Sequence, residues 1–204
     1  MAKIAHGPAE SLLSIVPRGE RRNSTRIHTV LRVARVARAH DVGLWRVRNV
    51  SDHGMMLDAG VRVTPGEKLA INLSDKVAIE GEAAWWDGRR CGVAFNAPID
   101  CAAILTALHA EQRAPDFRPL RLEVATRAIA YCEKGLHSVA VLNLSPHGAG
   151  FAHDGCFQAG MKTMLLFENG EEHRGVIQWS RGGRAGMYLT EPFPRASLES
   201  ASAF

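Results

Sequence analysis

The chain repeats itself, and that limits its fold more than any other feature. Asn49-Val-Ser51-Asp-His53-Gly54 returns as Asn143-Leu-Ser145-Pro-His147-Gly148, an offset of 94 residues. Carried forward without a gap, the offset matches Gly66 with Gly160, Lys68 with Lys162, Gly81 with Gly175, Trp85 with Trp179, Gly88 with Gly182, Arg90 with Arg184 and Gly92 with Gly186. Glycines kept in register over such a distance mark two homologous units, and a chain of 204 residues supplies each with enough residues for a core of its own.

Within each unit the apolar residues come in short runs separated by Gly, Pro, Asn and Asp, the pattern of antiparallel strands. Trp45 to Val50 alternates as a half-buried strand, and Met55-Met56-Leu57 follows the Ser-Asp-His-Gly turn. Ile79 to Trp86 and Cys91 to Phe95 flank Asp87-Gly88-Arg89-Arg90, a hairpin signal because Asp-Gly suits positive φ. The counterpart is Val176 to Ser180, Arg181-Gly182-Gly183-Arg184 and Ala185 to Leu189. Arg32, Arg35 and Arg38 recur every third residue as on a helix face, but the counterpart Leu122 to Tyr131 lacks that spacing, so Leu31 to Ala39 is read as a strand. One helix is expected over Pro98 to Ala114, with Asp100 as its cap and Ile104, Leu105 and Leu108 as its apolar stripe. Trp85 and Trp179 are expected in the cores. The stretch from Pro192 is Ser/Ala-rich, so residues 193–204 are expected to form a loose tail.

Composition narrows the function. Hydrophobic residues make up 46% and charged residues 23% of the chain, the balance of a globular protein. No apolar run reaches the roughly 20 residues of a membrane span, and Leu12 to Val16 is too short for a signal peptide, so the expected location is the cytoplasm. Cys91, Cys101, Cys132 and Cys156 show no C-x-x-C spacing and are read as reduced thiols. With no H-E-x-x-H either, no metal is expected. His53 and His147 lie inside turn motifs beside serines but lack a third residue to orient them, and no phosphate-cradling Walker loop exists, so enzymatic activity is not expected.

The charge excess sits in the first half. Residues 1–114 carry 16 Lys and Arg against 12 Asp and Glu, while residues 115–204 carry nine of each. Arg18, Arg21, Arg22, Arg26, Arg32, Arg35, Arg38, Arg46 and Arg48 face only Glu20 and Asp41 over their stretch. An anionic partner fits such a segment, because the arginine fork pairs bidentately with phosphate or a guanine edge and also stacks on bases. The competing reading for most of these arginines is a solvated face. Single-stranded nucleic acid is disfavoured, since no aromatic residue lies among residues 18–44 to serve as a stacking platform.

Arg22-Asn-Ser-Thr-Arg26 is followed 23 residues after Arg26 by Asn49-x-Ser51-x-x-Gly54, and then by Trp85 to Gly92. This resembles the PilZ domain family, whose pattern is R-x-x-x-R ahead of the first strand, D/N-x-S-x-x-G at a strand end, and a W-x-x-x-x-x-x-G hairpin. The likeness covers about residues 20–112 and, more weakly, 117–190. It implies a mainly β chain of two tandem six-stranded antiparallel barrels, with one helix following the first. The division is then a flexible N-terminus (1–17), a PilZ-like domain carrying the ligand motifs (18–114), a second, degenerate PilZ-like domain (115–192) and the loose tail.

The resemblance also implies a non-enzymatic receptor for cyclic di-GMP, with no cofactor beyond that ligand. Arg21, Arg22, Arg26, Asn49, Ser51 and Gly54 are its expected site. The ligand offers two phosphates and two guanines, and Arg22 and Arg26 suit either the phosphates or the O6/N7 edge, while Asn49 and Ser51 offer acceptors to N1 and N2. Asn49 stands where many members have Asp. Arg21 stands where an arginine is associated in the family with a stacked pair of ligands. In the second unit Arg121 aligns with Arg26 and Phe117 with Arg22, so Arg121, Asn143, Ser145 and Gly148 form at most a weak second site. An effector protein or self-association through the second unit is the expected output, and a tandem scaffold that binds no ligand is the alternative.

Overall fold

A computed structural model describes the backbone of residues 27–204 and the side chains from Arg32 onward. The lead segment with Arg21, Arg22 and Arg26, and the expected flexible N-terminus, lie outside the described residues. Two closed antiparallel barrels of six strands each follow one another along the chain. The first runs through β1 (Ile27–Ala37), β2 (Val42–Ser51), β3 (Gly54–Asp58), β4 (Lys68–Asn72), β5 (Ala78–Trp86) and β6 (Arg90–Phe95). After α1 (Cys101–Gln112) come β7 (Leu122–Cys132), β8 (Gly135–Ser145), β9 (Gly148–Ala152), β10 (Lys162–Phe167), β11 (Glu172–Arg181) and β12 (Arg184–Leu189). The strands neighbour in the order β1-β2-β3-β6-β5-β4, and β7-β8-β9-β12-β11-β10 repeats it.

Alternation builds each barrel. In β5, Ile79, Gly81 and Ala83 turn inward while Glu80 and Glu82 face water. Trp45, Leu57, Leu69 and Ile71 fill the first core, and Leu122, Leu144, Phe151 and Leu165 the second. Closing the sheet on itself leaves no free edge, which is how small β proteins avoid edge-to-edge aggregation. The 87–90 turn has Gly88 at φ 94°, and Asp87 Oδ1 accepts from the amides of Arg89 (3.0 Å) and Arg90 (2.7 Å).

Trp85 and Trp179 are not core residues. Each is 42% exposed. The β5–β6 register shifts between Ala83 and Trp85, and the β11–β12 register shifts between Ile177 and Trp179, so a bulge turns each indole out of the inward series. Each ring then lies across the glycine paired with it, and a Cβ on Gly92 or Gly186 would collide with the indole. The spacing from tryptophan to glycine therefore encodes a cross-strand cover on the barrel's outside.

The expected loose tail is also corrected, because residues 193–204 form a strap over both barrels. A single-turn helix, α2 (Arg195–Leu198), precedes a 3-10 turn at Ala201–Ala203. Leu198 and Phe193 are buried in the second core together with Leu44 of β2. The Trp45 indole N–H donates to the Glu199 carbonyl (2.8 Å), and Glu199 Oε2 accepts from the Gly60 amide (2.6 Å). At the far end Thr126 Oγ1 donates to the Phe204 carbonyl (2.8 Å). Ser/Ala composition hides this role, since two apolar anchors and a set of backbone hydrogen bonds suffice to hold the strap.

The helix matches expectation at its start: Asp100 Oδ1 accepts from the Ala103 amide at 2.9 Å. Leu108 is buried against the first barrel, while Ile104 and Leu105 pack at its margin.

Candidate functional site

Antiparallel pairing places the second motif next to the start of the first strand. Ile27 pairs with Val50 and His28 with Asn49. A chain arriving at Ile27 thus enters beside the Asn49-x-Ser51-x-x-Gly54 turn. Asn49 is only 6% exposed and Ser51 only 7%. Ser51 Oγ donates to the Gly54 carbonyl (3.1 Å) and braces the turn from inside. Gly54 is required by close approach, because a Cβ there would strike the Val93 carbonyl on β6. His53, expected on the surface of the turn, is exposed there.

The second barrel shows the same turn complete with its arginine. Leu122 pairs with Leu144 and Glu123 with Asn143, so Arg121, immediately before Leu122, corresponds in register to Arg26, immediately before Ile27. Each first strand bulges next, but three residues lie between His28 and Arg32 where two lie between Glu123 and Thr126. That extra residue is why the arginines align at an offset of 95 while the rest of the repeat keeps 94. Arg121 Nη1 donates to Asn143 Oδ1 at 2.7 Å, and burial, with Arg118 adding to it, lowers the guanidinium's pKa. Asn143 Oδ1 is thereby engaged within the protein. A Cβ on Gly150 would come to 2.7 Å from that oxygen, and Ser145 Oγ donates to the Gly148 carbonyl (3.4 Å) as Ser51 does to Gly54. Phe117, where the first unit has Arg22, is exposed.

Four of the arginines counted in the basic stretch have specific partners or surroundings. Arg32 Nη2 donates to the Leu108 carbonyl near the end of α1 (3.1 Å), and burial lowers its pKa. Arg38 forks onto Glu67 at 2.6 and 3.1 Å and holds that carboxyl below its usual range. Arg48 pairs with Asp58 at 2.7 Å. Arg46 lines a cleft of about 390 Å³ between the barrels, facing Arg195 across from Pro146 and His147 of the second turn. Neither the cleft nor Arg195's place in it was legible from spacing, because the strap that forms one wall looked unstructured.

A family model for the PilZ domain matches residues 20–108, which span Arg21, Arg22, Arg26, Asn49, Ser51 and Gly54. The first barrel thus matches the PilZ domain family. The match covers the first barrel and most of α1, and the second barrel shares its strand order and turn motif. Among curated proteins none matches the chain. Solved structures similar to it include the Borreliella burgdorferi PlzA protein in complex with c-di-GMP, at 11% identity over 92% of this chain and 94% of that one with a TM-score of 0.38. The Bacillus subtilis inhibitor of motility MotI/DgrA is similar at 9% identity over 83% and 94% with a TM-score of 0.31. Escherichia coli YcgR in complex with c-di-GMP is similar at 11% identity over 82% and 78% with a TM-score of 0.28. Likenesses of that depth carry no argument of their own.

Proposed function

We propose that this PilZ protein is a cyclic di-GMP receptor that takes the dinucleotide on its first barrel and signals through shape or partner rather than by catalysis. The observation that supports this reading is the pairing of Ile27, the residue that follows Arg26 in the sequence, with Val50 within the Asn49-x-Ser51-x-x-Gly54 turn. Arg22 and Arg26 grip phosphate or the O6/N7 edge of guanine, and Arg21 adds a third fork. The Arg121–Asn143 bond supplies a template for Arg26 and Asn49: the arginine fixes the amide, and its remaining donors face the ligand. Asn49, mostly buried, acts by setting the arginine's position and offering one edge. Ser51 and Gly54 hold the turn that presents it.

The second barrel serves contact. Its lead segment has Phe117 in place of the first arginine, so the pair of arginines is incomplete there. Ile129, Tyr131, Leu136 and Tyr188 are exposed on its outside, and Tyr131 pairs directly across the sheet with Leu136. Such a surface suits an effector protein or a second copy. Among the described residues no helix is long and apolar enough to cross a membrane, and a cytoplasmic place suits a second-messenger receptor.

Calorimetric titration with cyclic di-GMP, with GTP as control, tests the reading. Binding at micromolar affinity or better, lost in Arg22→Ala, supports it. Undiminished binding in Arg22→Ala, or none in the intact chain, refutes it.

A further inference from the structure

At one end of the second barrel the fold gathers side chains that the sequence keeps apart. His137 on β8, Asp154 and Cys156 in the loop after β9 place an imidazole nitrogen, a carboxylate oxygen and a thiol sulfur all within 4.8 Å of one another. His137 Nδ1 and Asp154 Oδ2 stand 3.7 Å apart. That is too long for a hydrogen bond, and it is close to the separation of two ligands sharing a tetrahedral cation at about 2.0 Å from each. His137 Nε2 is buried without a hydrogen-bond partner among the described residues.

The loop is shaped to present these atoms. Asp154 Oδ1 accepts from the Cys156 amide (3.3 Å), which leaves Oδ2 toward His137. His153 Nδ1 accepts from the Gly155 amide (2.7 Å) and its Nε2 meets Ser180 Oγ (3.0 Å), so that imidazole is engaged in holding the loop. Phe157, buried in the core, walls the cluster edge-on to His137 at 5.6 Å. Cys132 is the next sulfur. It pairs with Gly135, and Ala130, two residues before it on the same face, pairs with His137, so Cys132 and His137 are diagonal neighbours on β7 and β8. The Lys134 ammonium donates to the Cys156 carbonyl (3.1 Å).

We propose that His137, Asp154 and Cys156, with Cys132 as fourth ligand, hold a divalent transition-metal ion of the zinc type that clasps the 153–161 loop onto the second barrel. The donor set decides the class. One or two thiolates with an imidazole select a borderline-soft tetrahedral ion over magnesium or calcium, which take oxygen ligands. The absence of C-x-x-C and H-E-x-x-H spacing argued against metal in the sequence. A site whose ligands come from a hairpin and from a loop 17 residues further on, from His137 to Asp154, carries no such spacing.

The test uses the full chain, purified without a histidine tag and stripped of metal, with cobalt(II) as probe. The expected result is one equivalent bound per chain, a near-ultraviolet thiolate-to-cobalt charge-transfer band, visible bands of tetrahedral intensity, displacement by zinc, and a raised melting temperature. His137→Gln and Cys156→Ser, checked for folding by circular dichroism, abolish the charge-transfer band. Cys132→Ser keeps a band of reduced intensity, as one thiolate gives way to water. No uptake at micromolar free cobalt or zinc overturns the proposal, and so does uptake unchanged in folded His137→Gln and Cys156→Ser. A band unaltered by Cys132→Ser removes that residue from the set.

Discussion

The two barrels share strand order, turn motif and covering tryptophan, yet they spend their polar groups differently. In the second, the first arginine of the motif is replaced by Phe117 and only Arg121, bonded to Asn143, remains. In the first, Arg21, Arg22 and Arg26 precede Ile27 in the sequence, and Ile27 pairs with Val50 in the Asn49 turn. The outer surfaces diverge as well: of the large apolar side chains exposed among the described residues, Trp85 belongs to the first barrel, while Ile129, Tyr131, Leu136, Trp179 and Tyr188 belong to the second. A duplicated fold can thus hold its framework while the arginines of its lead segments and its outer apolar surface diverge. The framework tolerates this because the turn is braced locally, by Ser51 on Gly54 and by Ser145 on Gly148, whatever the arginines do.

The largest effect that would sharpen this contrast is on the core of the first barrel. Trp45 is fully buried and bonded to the strap, whereas the position 94 residues on is Val139. Trp45→Ala should cost about 3 to 5 kcal/mol in chemical denaturation, while Trp85→Ala, removing a half-exposed cover, should cost about 1 kcal/mol. Equal costs would contradict the outward placement of Trp85. Next comes the strap: Leu198→Ala should cost about 2 to 3 kcal/mol, and a neutral result would restore the loose tail. Arg121→Ala should then cost about 1 to 2 kcal/mol by leaving Asn143 without its donor, with cyclic di-GMP affinity unchanged.

The smallest effect is electrostatic. Glu67, held below its usual range by Arg38, contributes stability that is present above its unfolded pKa and is lost as pH falls through the lower folded value. Glu199 has the opposite sign, because burial raises its pKa and protonation on acidification relieves it. Glu67→Gln should therefore remove about 1 kcal/mol at neutral pH and progressively less at acidic pH, as the carboxyl protonates through its lowered value, whereas Glu199→Gln should lose nothing on that account. Denaturation midpoints compared at neutral and acidic pH check both signs.

Much of the fold was legible because the repeat checks every strand twice. The ambiguous Leu31 to Ala39 became a strand through its counterpart, and Asp100 announced its helix. Trp85 and Trp179 misled because strict alternation puts them inside, and a bulge between paired strands leaves no composition mark. Residues 193–204 misled because Phe193 and Leu198, too few for a periodic signal, carry the packing. The site was readable as motifs, but not that Arg32, Arg38 and Arg48 are committed to Leu108, Glu67 and Asp58, since partners 10 to 76 residues away are set by barrel closure.

Calorimetry on three proteins tests the central claim most directly: the intact chain, Arg26→Ala and Arg121→Ala, each titrated with cyclic di-GMP. The account predicts micromolar or tighter binding to the intact chain, a loss of at least about 100-fold in Arg26→Ala, and an unchanged isotherm in Arg121→Ala. Binding that survives Arg26→Ala and fails in Arg121→Ala would assign the ligand to the second barrel and contradict it.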